Sequence, residues 1–273
     1  MKKLTIITIN YNNRNGLKKT IESVVNQTFH DFEYIIVDGG STDGSVDVIN
    51  EYADKIDYWI SEPDNGIYNA MNKGILRATG EYCNFMNSGD CFHQNDVLEK
   101  LSPNLNIDVI WGKHTMNKYP QPLGYPYSNV SMLTFAKGGA ICHQATFIKR
   151  ALFNGNLYDE DLKIASDWKF FIDVLIFKNC SFKNIDIIIA DSDDIGISWR
   201  DSDLSYNERK KILKEFLPER MYSDYVRFAK ADSPLLELTP LFNKTNGFQK
   251  FIYKLVAFLI KNYYFLRKIF PKN

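Results

Sequence analysis

The sequence predicts an α/β fold in which a mostly parallel sheet is flanked by helices, with a helical basic tail at its C-terminal end. Three observations carry that reading. Short β-branched or aromatic runs alternate with stretches whose apolar residues recur at helical spacing up to Met86. The first two runs close in polar turns rich in Asn, Asp and Gly, where open α/β sheets bind ligands. No repeat or low-complexity tract interrupts the alternation, which calls for right-handed crossovers and a sheet covered on both faces.

Leu4 to Ile9 is a β-branched first strand, and Leu17, Ile21, Val24 and Val25 follow at helical spacing. The next pair is a strand at Tyr34 to Val37 and a helix marked by Val46, Ile49 and Tyr52. Tyr58 to Ile60 then precedes a helix over Asn65 to Leu76, and Tyr82 to Met86 is the fourth strand. Beyond about residue 112 the rhythm loosens around Pro120, Pro122 and Pro126, which suggests a long surface connection. Order returns with a strand at Ala140 to Ile148, a helix at Asp167 to Phe177 and a strand at Phe182 to Ala190. From Leu204 the chain reads helical, and Pro234 and Pro240 mark a linker. These boundaries divide the chain into a domain over residues 1–203, a helical extension and linker over 204–247, and a tail over 248–273.

A chain of 273 residues can bury a sizeable core. Lysine plus arginine and aspartate plus glutamate each total 33, so no global charge favours nucleic acid as a partner. The four cysteines show no metal-binding spacing and read as reduced, packed residues of a cytoplasmic protein. The opening Met1-Lys2-Lys3 has the charge of a signal peptide, but Asn10, Asn12, Asn13 and Arg14 end the apolar run too soon.

Asn87-Ser88-Gly89-Asp90 delivers a carboxylate to the end of the fourth strand. Small neighbours clear space around Asp90, a pattern suited to a hard cation bridging protein oxygens and a diphosphate; an ordinary turn is the alternative. The first two strands end at Tyr11 and Asp38. An aromatic face can stack a base and a carboxylate can accept from a ring N–H or a ribose hydroxyl, while Ser41, Thr42 or Asp43 can cap the next helix.

Thr8-Ile9-Asn10-Tyr11-Asn12, Val37 to Ser45, Asp64 to Gly74, Ala78 to Tyr82 and Asn87 to Asp90 occur in the order found in family 2 glycosyltransferases of the GT-A (Rossmann-like) fold, which the chain resembles. The resemblance extends through Cys142-His143-Gln144 and Ser166-Asp167-Trp168 and covers about residues 1–200. It is strongest to bacterial enzymes of surface-polysaccharide assembly, in the colanic-acid-type branch. It implies an inverting transfer from a nucleotide diphosphate-sugar, UDP-linked, to a saccharide or lipid-linked saccharide acceptor in polysaccharide or glycolipid synthesis. A catalytically silent nucleotide-sugar-binding or scaffold module is the alternative, since Asn87 and Gly89 stand where relatives often carry carboxylates. A dinucleotide oxidoreductase is excluded because no GxGxxG follows the first strand.

Carried onto this sequence, the resemblance assigns Thr8, Tyr11 and Asp38 to the nucleoside, Asp90 to a Mn²⁺ or Mg²⁺ ion beside Asn87, and His143 to the diphosphate or metal. Asp64 is a pocket carboxylate, and Lys73 and Arg77, on one helix, could reach a diphosphate; a solvated helix face is their alternative. Asp167 takes the place of the general base that removes the acceptor hydroxyl's proton, with a helix cap by Ser166 or Asp167 as the alternative. Arg200, in a polar segment bordering the donor site, could meet the phosphates.

The tail interleaves Lys250, Lys254, Lys261, Arg267 and Lys268 with aromatic and aliphatic residues. Its longest apolar stretch, Leu255 to Ile260, falls far short of the ~20 residues that span a bilayer. Peripheral contact with the inner face of a bacterial membrane is the expectation, with packing on the enzyme's own core as the alternative.

Overall fold

The computed structural model describes residues 2–116, 119, 121–123, 129–193 and 201–230, with 247, 251–252, 254–256, 258–259 and 262 in the tail. Arg200 and the linker prolines Pro234 and Pro240 lie outside the described residues. The chain divides into two compact units, Met1–Pro218 and Glu219–Asn273.

The first unit is built on one eight-stranded sheet: β1 (Leu4–Asn10), β2 (Phe32–Asp38), β3 (Tyr58–Ser61), β4 (Tyr82–Phe85), β5 (Cys91–Phe92), β6 (Val109–Met116), β7 (Thr146–Lys149) and β8 (Phe182–Ser192), in the order β3-β2-β1-β4-β7-β6-β8-β5. Strands β3, β2, β1 and β4 run parallel, as the alternating pattern predicts. The helices of those crossovers are α1 (Arg14–Val25), α2 (Ser45–Glu51) and α3 (Ile67–Arg77). Each turns its apolar side to the sheet, and Leu17, Ile21, Val24, Val48, Ile49, Met71 and Ile75 are buried.

The sheet's second half departs from the expected pattern. β7 is antiparallel to both β4 and β6, and β5 is antiparallel to β8. The expected strand over residues 140–148 starts only at Thr146, where pairing with β6 begins at Trp111↔Thr146; its ladder to β4 is confined to Tyr82↔Lys149 and Cys83↔Ile148. Before it, His143–Ala145 forms a single helical turn, held by the Thr146 hydroxyl donating to the Cys142 carbonyl at 2.6 Å. β6 continues past residue 112 to Met116, paired in parallel with β8 across two register shifts. Polar residues such as Lys113 and Thr115 hide that strand in a reading based on apolar runs. Short helices α4 (Val97–Leu101) and α5 (Met132–Ala136) complete the connections, and α6 (Ser166–Ile172) continues as a π-helical turn over Asp173–Phe177.

The first unit runs past the boundary expected at residue 203. Helix α7 (Ser202–Phe216) buries Glu208, Ile212 and Leu213, and its Glu215 accepts an ion pair from Lys169 of α6 at 2.7 Å. The second unit contains α8 (Glu219–Lys230) and helical residues of the tail, where Phe251, Leu255, Phe258 and Leu259 are exposed.

The parallel register brings the strand ends together. Asn10 lies opposite Asp38, the Gly39 N–H donates to the Asn10 carbonyl at 2.8 Å, and the Ser88 N–H donates to the Ile9 carbonyl at 3.0 Å. At the opposite end, Glu33 receives the Thr5 hydroxyl and the Gly80 N–H, and thereby ties β1, β2 and the approach to β4. A Cβ on Gly80 would sit 2.6 Å from the Leu4 carbonyl carbon and 2.7 Å from the Thr5 nitrogen, atoms that cannot yield without moving β1. Gly80→Ala is therefore expected to cost about 1–3 kcal/mol, the range of core overpacking, as measured by urea denaturation.

Candidate active site

The nucleoside end is built from the β1 and β2 turns. Asp38 is fully buried, and four donors surround its carboxylate: Asn10 Nδ2 at 2.7 Å and Ser41 Oγ at 2.6 Å on Oδ1, and the Ser41 N–H at 2.9 Å and Ser61 Oγ at 2.6 Å on Oδ2. Burial by itself would raise this carboxyl; the hydrogen bonds from Ser41, Ser61 and Asn10 outweigh it and hold Asp38 below its ordinary value. Four donors match the roughly four lone-pair sites of a carboxylate, so Asp38 shapes the turn with its acceptors already used.

Next to it, Tyr11 presents an exposed ring. A Cβ on Gly39 would lie 2.5 Å from Asp64 Oδ2 and 3.2 Å from Tyr11 Cδ2, so the missing side chain is what lets the ring and the carboxylate come together. Asp64 is anchored by accepting the Gly66 N–H at 2.8 Å. Thr8, expected at the nucleotide, is instead a core residue: its hydroxyl donates to the Met86 carbonyl at 2.8 Å and lies 3.0 Å from the Tyr34 hydroxyl. Its position inside β1 turns it away from the strand's end. Lys73, expected near a diphosphate, is held by Glu62 Oε1 at 2.7 Å and the Pro63 carbonyl at 3.3 Å, and Arg77 stacks over the Tyr58 ring.

The second half of the site gathers at the β4 end. Asp90 is buried, and both oxygens are engaged: Oδ1 accepts the Asp193 N–H at 2.7 Å and Oδ2 accepts Gln144 Nε2 at 2.9 Å. Burial outweighs those hydrogen bonds and raises its carboxyl above the ordinary value. Asn87 Nδ2 stands 3.0 Å from His143 Nε2. An amide nitrogen can only donate, so Nε2 accepts and the ring proton sits on Nδ1, which faces Asp167 Oδ2 at 3.2 Å. His143 thus spends both ring nitrogens within the protein, in place of the expected bond to a cation. The Asn87 amide oxygen is buried without a hydrogen-bond partner.

That orphan oxygen beside a buried carboxylate is the observation by which a cation can be tested. Both are hard oxygen donors of the kind Mn²⁺ or Mg²⁺ takes, so the residues fit such an ion. They do not enclose it: among the described residues no three His, Cys, Asp or Glu side chains group closely enough to hold a metal. Substrate oxygens would have to supply the remaining ligands.

Asp167 begins α6, and its side chain keeps 18% exposure. Besides His143, the Tyr68 hydroxyl lies 2.9 Å from Asp167 Oδ1 and 2.6 Å from the Ile164 carbonyl, so one phenolic proton serves two acceptors. Burial would raise the Asp167 carboxyl, but the hydrogen bonds from His143 Nδ1 and the Tyr68 hydroxyl hold it below its ordinary value, and it is ionised at neutral pH. No side-chain cap is made at this helix start, so Asp167 is not occupied as an N-cap. Tyr68 and helix α7 are not singled out by the sequence motifs; the Asn65-Gly66 turn that opens α3 is the signal in the sequence that points to the tyrosine in its first turn. A polar cavity of about 510 Å³ adjoins the Asn87–Asp90 turn, lined by Asn13, Lys19, Gly89, Thr115, Asp191 and Asp193 among others.

These features define an α/β fold that gathers its polar side chains at the carboxyl ends of the parallel strands, and comparison with known proteins places the chain in a family. Residues 5–152 match the model of glycosyl transferase family 2, and the chain belongs to that family. It is 30% identical over 224 residues to an uncharacterized glycosyltransferase of Mycobacterium tuberculosis, covering 77% of this chain and 82% of that protein. A PGL/p-HBAD biosynthesis glycosyltransferase of Mycobacterium bovis is 29% identical over 191 residues, 66% of this chain and 72% of the relative. Among solved structures, Staphylococcus aureus TarS 1–349 in complex with UDP-GlcNAc superposes with a TM-score of 0.66 at 18% identity, over 82% of this chain and 70% of that one. The mannosyltransferase PcManGT of Pyrobaculum calidifontis, in complex with GDP-Man and Mn²⁺, gives 0.60 at 13% identity over 100% and 88%. At those identities the structures establish the shared GT-A fold.

Because Asp38 is held below its ordinary value, its contribution to stability is present above the unfolded carboxyl pKa of about 3.9 and is lost as pH falls through the folded value. Asp38→Asn is therefore expected to cost about 1–3 kcal/mol at pH 7, and the difference from wild type should shrink as the pH is lowered to about 3, followed by urea denaturation.

Proposed function

We propose that the protein is an inverting glycosyltransferase that moves a sugar from a UDP-sugar to an acceptor hydroxyl in the synthesis of a cell-surface polysaccharide or glycolipid. The observation that carries this reading is the pairing of an ionised, partly exposed Asp167 with the Asn87–Asp90 turn through His143. One end of that chain belongs to the leaving nucleotide and the other to the incoming hydroxyl, as opposite-face displacement requires.

In this mechanism Tyr11 stacks the base, and Asp64 beside it accepts from the nucleoside. Asn87 and Asp90 would supply oxygens to a Mn²⁺ or Mg²⁺ ion, which would neutralise charge on the departing diphosphate. Asp167 takes the acceptor hydroxyl's proton as its oxygen attacks the anomeric carbon. The Nδ1–H of His143 and the Tyr68 hydroxyl fix the orientation of the carboxylate. UDP as the nucleotide is supported by the fold shared with the UDP-GlcNAc complex, and a lipid-linked saccharide acceptor by the relative in PGL/p-HBAD biosynthesis. The specific likeness to the colanic-acid-type branch rests on the sequence motifs; the two curated relatives described above are mycobacterial.

No helix among the described residues is long and apolar enough to cross a membrane. Cytoplasmic placement at the inner membrane face is part of the proposal. It is supported by the exposure of Phe251, Leu255, Phe258 and Leu259 in a tail that also carries Lys250, Lys254 and Lys261.

Calorimetric titration of UDP, GDP and TDP with and without Mn²⁺ or Mg²⁺ tests the donor assignment: UDP should bind most tightly and only with metal, and equal binding without metal would defeat the cation's role. Asp90→Ala should abolish the metal-dependent binding. Asp167→Asn should retain UDP affinity while turnover drops by about 10² or more; full turnover would remove Asp167 from the role of base, whereas a wild type that binds UDP without turnover would favour the silent module.

A further inference from the structure

Helix α7 carries a buried charge that the mechanism above does not use. Glu208 is 8% exposed, and its carboxylate accepts three consecutive backbone N–H groups: Lys163 on Oε1 at 2.7 Å, and Ile164 and Ala165 on Oε2, each at 2.9 Å. A charged acceptor gathering three amides makes strong, directional hydrogen bonds that fix the path of the segment. A helix packed against α6 needs no anion at such a position for packing alone, and an apolar side chain there would leave three N–H groups unpaired.

The segment so fixed is the one on which Asp167 depends. The Ile164 carbonyl takes the Tyr68 hydroxyl at 2.6 Å, the same hydroxyl that meets Asp167 Oδ1. The Ala165 carbonyl accepts the Lys169 N–H at 2.9 Å and so sets the first turn of the helix that carries Asp167. Two neighbouring contacts brace the same join: Arg209 Nη1 donates to the Gly138 carbonyl at 3.3 Å with its guanidinium 5.4 Å from the Trp168 ring centroid, and Lys169 pairs with Glu215.

We propose that Glu208 is a positioning residue for Asp167, acting through the backbone of Lys163 to Ala165 and the Tyr68 hydroxyl. Its importance to catalysis rests on the reading of Asp167 as the base. Its geometric claim stands independently of that reading. α7 lies outside the matched family segment of residues 5–152, so the device belongs to the part of the chain where the family model gives no guidance.

The test uses the ring of His143 as a reporter, because its Nδ1 faces Asp167 Oδ2. Long-range ¹H–¹⁵N spectra of the full chain are recorded at one fixed pH for wild type, Glu208→Gln, Asp167→Asn and the double variant. Glu208→Gln puts an amide N–H₂ against backbone donors, so the His143 signals should move in that variant. They should not move further when Glu208→Gln is added to Asp167→Asn. Should Glu208→Gln fail to fold, Glu208→Asp, which retains charge but is one methylene shorter, should show the same displacement. Unchanged His143 signals in whichever variant folds, or an equal shift in the Asp167→Asn background, would overturn the proposal and leave Glu208 as a brace for α7 alone. UDP calorimetry on the same samples keeps the two readings apart: loss of UDP binding in wild type defeats the transferase reading, whereas the His143 spectra decide the role of Glu208.

Discussion

The chain of contacts from Asn87 through His143 to Asp167 holds the site together, because it joins the end of β4 to the start of α6 across the change from parallel to antiparallel strands. Every other part of the site is arranged around that join. The parallel half, β3-β2-β1-β4, presents its carboxyl ends as one row of turns, and the antiparallel β7 returns the chain beside β4 so that His143 arrives next to Asn87. With each ring nitrogen of His143 committed, the imidazole has one orientation and one tautomer, and the carboxylate it faces is fixed with it.

Electrostatics separate the three carboxylates that sequence singled out. Hydrogen bonds outweigh burial at Asp38 and at Asp167 and hold both below the ordinary value, whereas at Asp90 burial outweighs its two hydrogen bonds and pushes it up. A buried carboxylate whose ionised form is under-stabilised would gain most from a cation, so under the proposed function Asp90 rather than Asp38 would meet an ion brought in with the diphosphate. Asp38 is a scaffold for the β2 turn that sets Tyr11 and Asp64 in place, with Gly39 leaving the room they need.

The parallel half of the fold was legible because Ile6, Ile36 and Phe85 sit in short apolar runs, followed by helices with clear faces. The second half was not, because β6 mixes Lys113 and Thr115 into a strand, and the turn at His143–Ala145 lies inside what reads as one apolar run from Ala140 to Ile148. For the site, the residue types and order of Tyr11, Asp64, Asn87, Asp90, His143 and Asp167 pointed to one region. What sequence could not give is which of their atoms are free. Thr8 looks identical at the end of a strand whether its hydroxyl faces a ligand or the Met86 carbonyl, and Lys73 shows no sign of Glu62 as its partner. Glu208 is a long-range contact, more than forty residues from the loop it holds, and leaves no local signature.

A crystal structure of the protein with UDP and Mn²⁺ tests the central claim most directly. The account predicts the uracil ring against Tyr11 beside Asp64, and the diphosphate and ion at Asn87 and Asp90, with Asp167 still paired to His143 and facing open space for an acceptor. UDP bound elsewhere, or its diphosphate placed away from the Asn87–Asp90 turn, would contradict it.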